Sequence, residues 1–78
     1  MKLYLLSQSV NRGHYTYDSC VVAAEDAQQA RFMLPGGGSW EEKHCNDWAF
    51  NPTQVEVRLL GTAVDKIEAG VICSSFNE

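Results

Sequence analysis

In KLYLLSQ, residues 2 to 8, Leu3 and Leu5 share one face of an extended chain while Tyr4 and Leu6 share the other. Both faces are apolar, so the segment predicts a strand covered on two sides. The next stretch, SVNRGHY, supplies turn residues, with Gly13 free to adopt a positive φ after Asn11 and Arg12. YTYDSCVVAA, residues 15 to 24, is dense in β-branched and aromatic side chains and predicts the antiparallel partner of the first strand. The period then changes. In EDAQQARFML, Asp26 is a candidate N-cap with Gln29 three residues later, a capping-box spacing. Ala27, Ala30, Met33 and Leu34 follow at helical spacing, and Pro35 ends the helix.

No sustained period runs from Pro35 to Pro52, a long loop that opens on three glycines and holds both tryptophans. TQVEVRLLG resumes strict alternation, with Val55, Val57 and Leu59 predicted inward and Gln54, Glu56 and Arg58 outward. TAVDKIEAG predicts a helical turn, Thr62 capping toward Asp65 and Gly70 closing it, before VICSSFN forms a last strand. The expected order is β-β-α-β-β, two hairpin-like strand pairs and one helix. This is an α+β fold: a four-stranded mixed or antiparallel sheet with the helix packed on one face. Residues 1–78 make a single domain, with the Gly/Trp-containing loop at about 35–52.

Size and charge narrow the function. A chain of 78 residues builds a thin core, so packing must be economical or association must help. If the second sheet face is not fully polar, it invites a homodimer or higher oligomer through sheets or edge strands. Ten acidic against six basic residues, net −4, argue against a nucleic-acid surface built on phosphate neutralisation. No run approaches the ~20 apolar residues that span a bilayer, and the N-terminal apolar run is too short for a signal peptide. Three cysteines, 25 and 28 residues apart, suit reduced thiols better than a disulfide framework. A cytoplasmic protein without a membrane or nucleic-acid partner is the expectation.

MKLYLLSQ, YDSCVVAAEDAQQAR and VRLLGTA with GVICSSFN together resemble a set of small uncharacterised proteins of bacteriophages, prophages and bacteria. Those relatives share a similar first strand, a Tyr-Asp-Ser before a valine strand with an acidic helix start, and a Ser-Phe-Asn tail. The resemblance spans roughly two-thirds of the chain and implies a phage or mobile-element origin with no established chemistry. Where such relatives often carry His-Pro after the helix, this chain has Leu34-Pro35, and the glycine-rich insert is a further departure.

Candidate chemistry is sparse. PGGGSW lacks the Gly-Lys-Ser/Thr and helix start of a phosphate loop, so a flexible loop is its simpler reading. His44 and Cys45 are adjacent, which is awkward for joint chelation, and no Cys-x-x-Cys or His-x-x-x-His pair supports a metal site. The same adjacency rarely gives a nucleophile–base hydrogen bond. Cys20 and Cys73 sit in apolar strands, where cysteine behaves as a small hydrophobe. No catalytic residue, metal or cofactor is therefore assigned, and an enzyme is the weaker reading.

Two function classes remain. The first is a non-enzymatic interaction module, phage-encoded, that binds and inhibits a host protein such as a defence component. Its contacts would be Trp40, Glu41, Glu42, Trp48 and Phe50, one tryptophan packed and the other available, with the acidic pair steering toward a basic surface. The alternative is an oligomer that sequesters a small nucleotide-like ligand between subunits, lined by Tyr15, Tyr17, Asp18 and Arg31. There Tyr15, Tyr17 and Ser19 alternate with Thr16, Asp18 and Cys20, and the tail residues Ser74, Ser75 and Asn77 could join Asp18 in a polar pocket. A solvated helical arginine and a carboxylate serving local amides are the plainer accounts of Arg31 and Asp18.

Overall fold

The computed structural model describes residues 1–78 except 42–45, 65 and 78. Strand β1 (Lys2–Ser7) pairs antiparallel with β2 (Thr16–Ala24), placing Leu6 beside Cys20 and Tyr4 beside Val22. Helix α1 (Ala27–Arg31) and a 3₁₀ turn (Pro52–Gln54) precede β3 (Glu56–Thr62) and β4 (Gly70–Asn77). The sheet is antiparallel throughout, in the order β3-β1-β2-β4. The α+β class and four strands agree with the sequence reading. The element order differs by the 3₁₀ turn, and the second strand pair is not a hairpin. Strands β3 and β4 occupy opposite edges, each paired to one strand of the first hairpin.

Helix α1 is shorter than the apolar spacing predicts. Asp26 caps it as expected, its Oδ1 accepting from the Gln29 N–H at 2.8 Å, but Gln29 Oε1 accepts from the Glu25 N–H at 2.6 Å. The reciprocal bond of the box thus falls one residue earlier. Pro35 disfavours the α conformation at Leu34 and clashes with a helical preceding turn, so the helix ends by Phe32. The chain then turns, with the Gly37 N–H donating to the Leu34 carbonyl at 2.9 Å and Pro35 at the second turn position. Ala27 is exposed, against expectation, while Ala30 and Leu34 are buried and Met33 packs beside them.

One face of the sheet carries the core. Tyr4, Leu6, Cys20, Val22 and Ala24 meet Ala30, Leu34, Trp48, Ala49 and Val55 from the covering segments. Two positions depart from simple alternation. Leu59 is 57% exposed, because a five-residue helix is too short to cover that end of edge strand β3. Tyr17, which by strict alternation would lie on the face opposite Cys20, packs against the core, since the β2–β4 register shifts between Tyr17 and Ser19. The predicted helical turn over residues 62 to 70 does not form among the described residues. Thr62 ends β3, Lys66 takes a φ of 74°, and the Ile67 N–H reaches the Val64 carbonyl in a single turn. Asp65, its expected cap partner, lies outside the described residues.

Candidate functional site

A buried glutamine that the sequence reading passed over sets the geometry of the loops. Gln8 continues the inward series Tyr4 and Leu6 and is buried. Its Nε2 donates to the Asn11 and Tyr17 carbonyls at 2.7 and 2.8 Å, and its Oε1 accepts from the Asn11 and Val10 N–H groups at 2.8 and 3.0 Å. One side chain thereby satisfies four backbone groups of the first turn and β2. Asn11 extends the link: its Nδ2 donates to the Asn46 and Trp48 carbonyls at 2.7 and 3.0 Å. The Tyr17 N–H donates to the Asp47 carbonyl at 2.7 Å. The far end of the long loop is thus tied to the sheet at three carbonyls. The available sequence signal was a polar residue on an inward position.

At the near end of the loop, Leu34 and Pro35 are buried. A methyl group built on Gly36 would stand 3.9 Å from both the Tyr17 hydroxyl and an Asp47 carboxylate oxygen. Gly37 and Gly38 then take φ of 84° and 82°, a region costly for side-chain-bearing residues. With Phe32, Met33, Leu34, Gly70 and Val71 they line a cleft of about 220 Å³. Among the described residues, no cation lines it, and none supplies a counter-charge for a phosphate at the glycines.

Of the expected contact residues, Trp48 is 0% exposed and belongs to the core, so in this structure it offers a partner no surface. Trp40 is half-buried and packs against the same core. Glu41 is exposed, and Phe50 is 55% exposed although Trp48 and Ala49 just before it are enclosed. Glu42, His44 and Cys45 lie outside the described residues.

Of the alternative ligand set, Tyr15, Tyr17 and Asp18 lie in one region and Arg31 lies apart from them. The Arg31 Nη1 donates to the Val55 carbonyl at 2.6 Å and the Pro52 carbonyl at 3.2 Å, fastening α1 to the two ends of the 3₁₀ turn that leads into β3. Tyr15 and Tyr17 flank Phe76 of β4, at the opposite edge of the sheet, with ring centroids 6.2 and 4.7 Å away. Asp18 stays with that group, accepting from the Asn77 Nδ2 at 2.9 Å. Ser75 lies opposite Ser19, and Ser74 opposite Cys20. Arg31→Ala is expected to cost about 1.5–3 kcal/mol of stability, the range for hydrogen bonds to charged groups. Urea melts check this, and a loss below ~0.5 kcal/mol would show that the two carbonyl bonds do not tie helix to strand.

Among the described residues, no group of three or more His, Cys, Asp or Glu side chains is placed to hold a metal ion. Cys20 and Cys73 are free thiols, the first buried and the second exposed. Burial, with a smaller push from Cys73, raises the Cys20 thiol to about 12. At neutral pH it is therefore protonated and a poor nucleophile. No helix among the described residues is long and apolar enough to cross a membrane. No protein-family model matches the chain, nor does any curated protein or solved structure.

Proposed function

We propose that the chain is a non-enzymatic protein-interaction module, a phage-encoded accessory protein that binds and inhibits a host defence protein in the host cytosol. The observation that carries this reading is the contrast around the long loop. Its Trp48 and Ala49 complete the core while Phe50 stays exposed beside them, and Trp40 and Glu41 stand where the other arm leaves the core. A rigidly anchored aromatic next to an acidic group is suited to hot-spot contact with a basic partner surface. Trp48 supports that surface from beneath, and Trp40, Glu41 and Phe50 carry the contact, with Glu42 adding charge.

The test is affinity purification from the natural host with the wild-type chain and with a Trp40→Ala, Glu41→Lys, Phe50→Ala variant. The expected result is one host protein enriched on wild type and reduced at least about tenfold on the variant, with the variant still folded by circular dichroism. Equal recovery on both baits, or none on either, would overturn the reading.

The Tyr15–Phe76–Tyr17 cluster and the Asp18–Asn77 pair support a second reading, a site for a small ring-bearing, nucleotide-like ligand. Rings stack on bases and a carboxylate accepts from ribose or base donors. With Arg31 committed elsewhere, none of Tyr15, Tyr17 and Asp18 offers a positive charge to a phosphate. Native mass spectrometry of gently purified protein distinguishes this reading by a stoichiometric small-molecule mass.

A further inference from the structure

Edge strands expose unpaired backbone groups, and proteins guard them with charges, prolines, bulges or covering segments. The two edges of this sheet are guarded differently. Strand β3 carries Glu56 and Arg58. Strand β4, GVICSSFN, carries no charged residue and no proline over eight positions, and it pairs with β2 alone. Residues 72 to 76 are all exposed. Among the described residues, its one guarding device is the irregularity at Ile72, where β2 passes from Val21 opposite Cys73 to Val22 opposite Val71.

The same strand presents an apolar knob near one end and an apolar hollow at the other. Phe76 lies opposite Tyr17, packs its ring at 4.7 Å from that core-facing tyrosine, and is still 42% exposed. Val71, opposite the core residue Val22, borders the 220 Å³ cleft beneath Phe32, Met33 and Leu34. That volume is below the ~300 Å³ at which small-molecule sites begin, so the cleft suits one side chain better than a ligand.

We propose that β4 pairs antiparallel with β4 of a second copy of this chain about a two-fold axis, each Phe76 packing onto Val71 and the adjoining cleft of the other copy. Residues directly opposite each other in an antiparallel pair lie on the same face of the sheet. Centring the axis on Ser74 sets Ser74 against Ser74 and Cys73 against Ser75. It brings Phe76 to the Val71–Ile72 step, where the bulge already sets two residues against one. A two-fold interface requires one patch to hold both halves of each contact, and a knob and a hollow on a single strand meet that requirement. Charge agrees. In a chain of net −4, two copies meeting along this uncharged strand bring no like charges into direct opposition along the pairing.

The test measures the mass of the purified full chain across a concentration series by analytical ultracentrifugation, for wild type and for Ser74→Lys. Ser74 is exposed, and the substitution sets two lysines against each other at the axis. Wild type is expected to reach a dimer, and S74K to weaken it about tenfold or more while its circular dichroism spectrum still matches that of the folded wild-type chain. As a second probe, Ser74→Cys in a Cys45→Ser, Cys73→Ser background is expected to form a disulfide-linked dimer on mild oxidation while folded. A wild-type chain that stays monomeric at its highest soluble concentration would overturn the proposal. So would an S74K dimer as tight as wild type, or an S74C variant that remains uncrosslinked. The readout uses the chain alone, so its failure leaves the host-protein reading standing, and failure of that reading leaves this one untouched.

Discussion

Replacing Trp48 with alanine is expected to remove about 3–5 kcal/mol of stability, the largest single-residue loss in the molecule. Trp48 heads the fully buried side chains by volume and packs among Leu6, Val22 and Val55 in one cluster. A 78-residue domain has roughly 4–12 kcal/mol in total, so the variant should be partly or wholly unfolded at room temperature. Trp48→Phe separates packing from polarity. The indole N–H is buried without a hydrogen-bond acceptor among the described residues, so phenylalanine leaves no partner orphaned and costs only the lost volume. Trp40→Ala, at a half-buried site, should cost less than either and act mainly on partner capture. Urea unfolding with a fitted slope checks the series. A Trp48→Ala loss below ~1 kcal/mol would return Trp48 to the contact surface and remove it from the core.

That division of the tryptophans shows what the sequence could and could not convey. Alternation at Leu3–Leu6 and the valine run of β2 fixed two strands, because period-two patterning survives wherever one face must be buried. Pro35 and Asp26 marked the limits of the helix by local sterics and capping, although its last turn was lost to the proline. Strand neighbours were not legible. A chain that continues from β3 into β4 reads as a hairpin, yet here the seven residues between them lead to the opposite edge of the sheet. The candidate sites divide by the range of their interactions. The polarity of Asp18 and Asn77 is visible at two strand ends, whereas Arg31 reads as a solvated group or a ligand contact because nothing local shows that its partners are carbonyls more than 20 residues away. Gln8 was missed for the same reason, since its value lies in backbone groups that only the folded turn places around it.

Raising the pH should expose the other large effect, and it falls on Cys20. Its folded-state pKa, lifted first by burial and second by Cys73, stands at about 12 against 9.0 for an ordinary cysteine. Below pH 9 the thiol is protonated in both states and the shift changes nothing. Between pH 9 and 12 the unfolded chain ionises while the folded chain does not, so the unfolded state binds fewer protons and stability falls as pH rises. The decline is on the order of 1 kcal/mol per pH unit within that window. Tyrosines titrate in the same range, and the difference from a Cys20→Ala variant isolates the cysteine. That variant starts lower at pH 7 because it loses a buried sulfur, yet it should lose less stability on going to pH 10.5, by on the order of 1 kcal/mol. Urea midpoints for both proteins at pH 7, 9 and 10.5 decide the matter. Parallel curves would mean that water reaches the thiol in the folded state, and the β1–β2 core would then be looser than the enclosed Leu6 and Val22 beside it require.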